Sequence, residues 1–143
     1  MRLKGSIFLF QDCRDRDLMR AFRKQLSICS KDDKLTDILI ATVNSPSERF
    51  WVTEKRAFDI IVKIRNGDNL DWMKQENKKE MFFEINNRVS IEMQKHPRIS
   101  LKSAVENVII QTAPKFYLTP KSAKVIIHKI KKKWRKKRQN GQR

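Results

Sequence analysis

Residues 49–64 read RFWVTEKRAFDIIVKI, and residues 115–130 read KFYLTPKSAKVIIHKI. The phrases agree at eight of sixteen positions, and Arg49/Lys115, Trp51/Tyr117 and Val52/Leu118 are close substitutions. In both, Ala, Ile, Ile and Ile recur at the spacing that lines one face of a helix (Ala57, Ile60, Ile61 and Ile64, then Ala123, Ile126, Ile127 and Ile130). In both, a threonine suited to an N-cap precedes that helix, and in the second copy Pro120 follows it at the first helical position. A four-residue aromatic segment, RFWV or KFYL, alternates ahead of the cap. This places Phe50 and Phe116 inward and sends Trp51 and Tyr117 the other way, towards solvent or a neighbouring unit.

The repeat extends upstream. Leu18, Met19, Phe22 and Leu26 predict one amphipathic helix, capped at Asp17, with Arg20 and Arg23 facing solvent. Leu35, Ile38, Leu39 and Val43 predict a second, broken near Asn44-Ser45-Pro46. The third helix ends at Asn66-Gly67. In the second copy Met81, Phe82, Ile85, Val89 and Met93 form the first stripe. His96 to Ser100 form the turn, and Ser100 or Ser103 caps LKSAVENVII. Leu70, Trp72 and Met73 are too apolar for a free linker, which extends the fourth helix back into residues 67–80 and offers Trp72 for packing between units. The last helix carries Ala123, Ile126, Ile127, Ile130 and Trp134 and runs on to about Gln139.

The sequence therefore predicts an all-α protein of two tandem three-helix units, residues 1–67 and 68–130, with residues 131–143 as a basic helical extension. Composition agrees with this class. Three glycines and four prolines in 143 residues leave little material for the turns of a β fold. Units of about 50 residues bury little alone and gain from sharing a core.

Charge is distributed unevenly. The chain holds 33 Lys and Arg against 16 Asp and Glu, a net charge of +17. The last acidic residue is Glu106, and 12 of the basic residues lie beyond it. The end of the chain, HKIKKKWRKKRQNGQR, sets nine of these around Trp134. Cations at a helix C-terminus gain about 0.3–1 kcal/mol each from the macrodipole, an effect that does not call for nine. A polyanionic partner does.

Catalytic patterns are sparse. There is no glycine-rich phosphate loop, HExxH or nucleophile elbow. Asp12, Asp15, Asp17, Asp32 and Asp33 offer paired carboxylates of the type found in metal nucleases. Their basic neighbours fit helix N-terminal acids better. Cys13 and Cys29 lack metal-ligand spacing, and His96 and His128 lie far from them, so neither a metal nor a cofactor is expected. The apolar run in MRLKGSIFLFQD is too short for a secretory or membrane segment, which predicts a soluble, cytoplasmic protein with no membrane partner.

A three-helix unit with a cleanly started third helix resembles helix-turn-helix and Myb-like modules in topology. That likeness implies base and phosphate contacts from the third helix. The strict motif joins its helices through three or four residues, whereas Ser45 to Val52 is some eight. The opening MRLKGSIFLFQDCRDRDLMRAF, with RFWVTEKRA and KFYLTPKSAKVIIHKIKKKW, also resembles a family of small basic proteins of Bacteroidetes phages and mobile elements. That resemblance spans nearly the whole chain. It implies a setting of regulators, packaging or recombination accessories and virion components, and it brings no activity or binding residues.

The expected function is non-enzymatic binding of nucleic acid, double-stranded DNA rather than RNA, mainly through phosphates. Lys121, Lys124, Lys129, Lys131, Lys132, Lys133, Arg135, Lys136, Lys137 and Arg138 would carry most of the affinity. Lys55, Arg56 and Lys63 would form a weaker second surface, with the planar fork of Arg56 suited to guanine. The competing expectation is an assembly protein of a phage or mobile element, whose repeats pack against protein partners or further copies of the chain.

Overall fold

Six helices make up the computed structural model, which describes the backbone of residues 2–141 and the side chains of residues 9–139. They are α1 (Arg2–Ile28), α2 (Leu35–Val43), α3 (Glu54–Arg65), α4 (Glu76–Lys95), α5 (Leu101–Ile109) and α6 (Pro120–Gly141). Among the described residues no strand forms, and the fold is all-α. The element bounds share one offset: α2 and α5 begin and end 66 residues apart, as do the starts of α3 and α6. The buried residues of α2 (Ile38, Leu39, Thr42 and Val43) recur in α5 as Ala104, Val105, Val108 and Ile109.

Packing does not follow the order of the repeat. Residues Met1–Ser45 and Leu118–Arg143 form one unit, and Pro46–Tyr117 form the other. In the split unit α6 packs on α1 and α2; in the continuous unit α3 packs on α4 and α5. The expected boundaries, 1–67 and 68–130, are thus replaced by an exchange of third helices. The reason lies in the matching faces of the third helices. α3 and α6 share the Ala-x-x-Ile-Ile face, so α6 meets the apolar requirement that α1 and α2 present. The extended segment after α2 carries α3 into the other set, as in domain swapping. Because α2 and α3 belong to different units, this pair is not a helix-turn-helix.

The continuous unit has its own core of Phe50, Val52, Ala57, Ile60, Ile61, Leu70, Met73, Met81, Phe82, Ile85, Val89, Ala104, Val105, Val108, Ile109, Ala113 and Tyr117. Segment 46–53 is tied to the end of α5, where the Phe50 N–H donates to the Ile109 carbonyl at 2.9 Å. Leu70 and Met73 are buried as their apolar character predicts, but α4 begins only at Glu76. Residues 66–75 form a turn instead of a helical extension. Gly67 (φ +101°) and Leu70 (φ +60°) reverse the chain there, and Asp68 Oδ1 accepts the Leu70 N–H at 2.7 Å. Trp72 is exposed on this turn.

In the split unit the core is Leu18, Met19, Ala21, Phe22, Ile38, Leu39, Val43, Ala123, Ile127 and Ile130. Asp17 is no cap. It lies mid-helix in α1, buried, with Arg20 one turn on reaching its carboxylate at 2.6 Å. Leu26 and Leu35, expected inside, are exposed. Tyr117, expected outside, is buried. A left-handed backbone (φ +57°) turns its ring inward to stack on Phe50, with centroids 6.1 Å apart. For a bulky residue that conformation is a strained one.

Candidate nucleic-acid interface

α6 starts where its sequence says it should. The Ser122 N–H donates to Thr119 Oγ1 at 3.1 Å, and Pro120 occupies the first helical position. The Ala123, Ile127 and Ile130 stripe anchors the helix to the split unit, with Ile126 and Trp134 half-buried beside it. Lys121, Lys124, Lys129, Lys131, Lys132, Lys133, Arg135, Lys136, Lys137 and Arg138 are all exposed. None of them pairs with a carboxylate among the described residues. From Lys121 to Arg138 the helix rises about 26 Å, and over that length these cations wrap every side of α6 except the buried one. Arg143, the last basic residue of the tail, lies outside the described residues.

Two aromatic contacts fix this stripe to α1. The Arg23 guanidinium lies over the Trp134 ring at 5.1 Å, and Lys131 Nζ lies 5.1 Å from the Phe22 centroid. Arg23 thereby joins the basic face. Sequence spacing marks Arg23 as outward-facing, but its neighbourhood with Trp134 depends on α6 packing against α1, which the repeat order does not suggest.

The second predicted set lies in the continuous unit. Lys55 shares a cleft of about 340 Å³ with Glu54, Phe58, Lys102 and Glu106, where the charges balance. Arg56 is exposed in the first turn of α3, its backbone N–H donating to Thr53 Oγ1 at 3.3 Å. Lys63 is engaged locally: its Nζ lies 4.7 Å from the Trp72 centroid. Trp72 Nε1 in turn donates to Asp68 at 3.0 Å. The Leu70 N–H, then the Trp72 indole and the charge of Lys63 hold the Asp68 carboxyl below its ordinary range. Only Lys55 and Arg56 remain available there, and acids flank the first.

The carboxylates of α1 do not assemble a metal site. Asp12 pairs with Arg16 at 3.2 Å, Asp15 with Arg14 at 3.0 Å and Asp17 with Arg20 at 2.6 Å. Among the described residues no group of three His, Cys, Asp or Glu stands close enough to hold a metal ion. Cys13 is exposed and Cys29 half-buried, both as free thiols. A recess of about 700 Å³ opens beside α4 and holds the Lys115–Glu80 ion pair at 2.7 Å. Tyr117 at its wall is pushed up to about 12 by burial, then by Glu84 and Glu80. Nothing in it pairs a nucleophile with a base. No described helix is long and apolar enough to cross a membrane.

Searches against protein-family models, curated proteins and solved structures find no match to this chain.

Proposed function

We propose that this chain is a non-enzymatic nucleic-acid-binding protein that grips double-stranded DNA through phosphates, in a regulatory, architectural or phage and mobile-element accessory role. The supporting observation is α6. Ten exposed Lys and Arg on one anchored helix have no described carboxylate to neutralise them. Bringing so many like charges together raises the energy of the free protein, and a phosphate backbone relieves it by releasing condensed counterions. Lysine dominates the stripe, which fits point-charge contacts to phosphates better than bidentate reading of bases. Lys55 and Arg56 add little in this reading, since acidic neighbours surround Lys55.

Binding of a labelled duplex by the full chain and by a truncation after Ile130 tests the proposal. That truncation removes seven of the ten cations but keeps Ala123, Ile127 and Ile130 in the core. Full-length affinity is expected to fall about 10³–10⁵-fold between 50 and 200 mM salt if 6–10 phosphates are contacted. The truncated protein should show a much shallower slope. Absence of binding at about 50 mM salt, where phosphate contacts are strongest, overturns the reading.

A further inference from the structure

The duplication supplies an internal control, because each unit can be compared with its counterpart position by position. In the continuous unit Phe58 of α3 and Leu101 of α5 both pack against the core. The Phe58 cleft is lined by Glu54, Lys55, Lys102 and Glu106, two acids and two bases. In the split unit the counterpart of Phe58 is Lys124, and the counterpart of Glu106 is Ile40. The thinner, charged side chain of Lys124 stands in the place of the phenyl ring. A groove of about 410 Å³ opens instead between α2 and α6, floored by Phe22, Leu35, Leu39, Val125 and Ile127 and edged by Lys124, His128, Lys129 and Lys131.

Three apolar side chains on these helices stand exposed: Leu35 at 47%, Ile40 at 43% and Val125 at 48%. The Leu35 counterpart, Leu101, is packed against its core. No acidic residue lines the groove. Duplex DNA accounts for the lysines but has no use for the apolar floor, since phosphates and sugar edges do not fill hydrophobic slots. A bulky apolar side chain flanked by carboxylates satisfies both features.

We propose that the α2–α6 groove of the split unit docks an acidic amphipathic peptide segment of a partner protein. An aromatic anchor of that segment would sit where Phe58 sits in the other unit, with its carboxylates meeting Lys124, Lys129 and Lys131. The mode is that of an apolar groove with a charged rim, in which the buried anchor carries affinity and the rim sets selectivity. This site is independent of the DNA reading, although Lys124, Lys129 and Lys131 serve both.

The test is selection of random 15-residue peptides displayed on phage against the full chain, followed by anisotropy of the selected peptides. Two variants serve as controls, each checked for native helicity and thermal midpoint. The first is Lys124→Phe, which fills the groove as Phe58 does. The second is Leu35→Glu with Val125→Glu, which replaces two exposed residues and leaves the core alone. Selected peptides should combine an aromatic residue with several Asp or Glu. They should lose at least about tenfold in affinity for both variants, a difference of about 1.4 kcal/mol. Selection of no peptide, of basic peptides, or of peptides that bind Lys124→Phe as tightly as the native chain overturns the proposal. So does a result in which dodecanoate shifts the groove resonances in NMR while no peptide is selected, which would assign the groove to a fatty acyl chain.

Discussion

Ser47 and Ala113 exchange both backbone hydrogen bonds, N–H to carbonyl at 3.1 Å and 3.0 Å. They are counterparts in the repeat, 66 residues apart, so each copy of the connecting segment pairs with itself in the other copy. Paired this way, the two connecting segments run antiparallel. Around it, Ser47 Oγ donates to the Arg49 carbonyl at 2.8 Å and the Lys115 carbonyl at 3.3 Å, again a pair of counterparts. Arg88 holds the second segment by donating to the Thr112 carbonyl at 2.9 Å. The pairing fastens the two connections where the third helices part from the helices that precede them.

From that exchange follows a prediction about fragments. Residues 46–117 contain the whole core of the continuous unit and should unfold cooperatively, with a midpoint independent of protein concentration. Residues 68–130, the half suggested by the repeat, lack Phe50, Val52, Ala57, Ile60 and Ile61 of that core. They should melt without a cooperative transition. Circular dichroism of both fragments on heating decides the point, and the reverse ranking would contradict the exchange.

Phe50 is the aromatic hinge of the connection, buried against Tyr117 with the Arg88 guanidinium 4.9 Å from its ring centroid. Phe50→Ala should cost about 3–5 kcal/mol, the usual range for emptying a buried phenyl site. Its neighbour Trp51 is only half-buried, so Trp51→Ala should cost on the order of 1 kcal/mol. Urea denaturation of the two variants measures the difference. Equal losses would mean that the two rings share the core.

The contrast between these neighbours shows where sequence reading reached its limit. Helical period finds part of every helix, and cap chemistry fixes the starts of α3, α5 and α6, where Thr53, Ser100 and Thr119 act within a few residues. By contrast, α1 begins at Arg2, well ahead of Asp17, and α4 at Glu76, after the apolar turn. Period and caps also placed the basic stripe on α6. Partner choice was not legible: α3 and α6 present the same Ala-x-x-Ile-Ile face, so the pattern fits either set of helices. Alternation failed at Tyr117 because a residue with positive φ breaks the two-residue period that places side chains on opposite sides. Leu35 reads as core by spacing, yet it stands exposed on a groove that it lines together with Lys124, the counterpart of Phe58.

Tyr117 is the single tyrosine of the chain, which makes its ionisation directly observable. Burial raises its hydroxyl from the ordinary 10 to about 12, with further contributions from Glu84 and Glu80. Between about pH 10 and pH 12 the unfolded chain has lost this proton while the folded chain retains it. The unfolded state then binds fewer protons, and stability falls as pH rises. Below pH 10 the contribution is fully present. Absorbance near 295 nm should titrate close to 12 in the native protein and close to 10 in denaturant. Tyr117→Phe should remove this part of the alkaline loss. A native midpoint near 10 would place the hydroxyl in water.

The DNA reading makes its sharpest demand on salt dependence. Lys132, Lys133, Lys136 and Lys137 are exposed on α6 away from the Lys124 edge of the groove. Replacing the four by Gln keeps a good helix former at each position. If each touches one phosphate, the slope of log affinity against log salt should flatten by up to about 3.6, at about 0.9 per contact. Lys55→Gln with Arg56→Gln should change it by about 1 or less, because Lys55 already has Glu54 and Glu106 beside it. Anisotropy of a labelled duplex over roughly 50–200 mM salt reads both slopes. An unchanged slope in the fourfold variant would move the contact off the end of α6, and an equal flattening in both variants would make the continuous unit a full partner in binding.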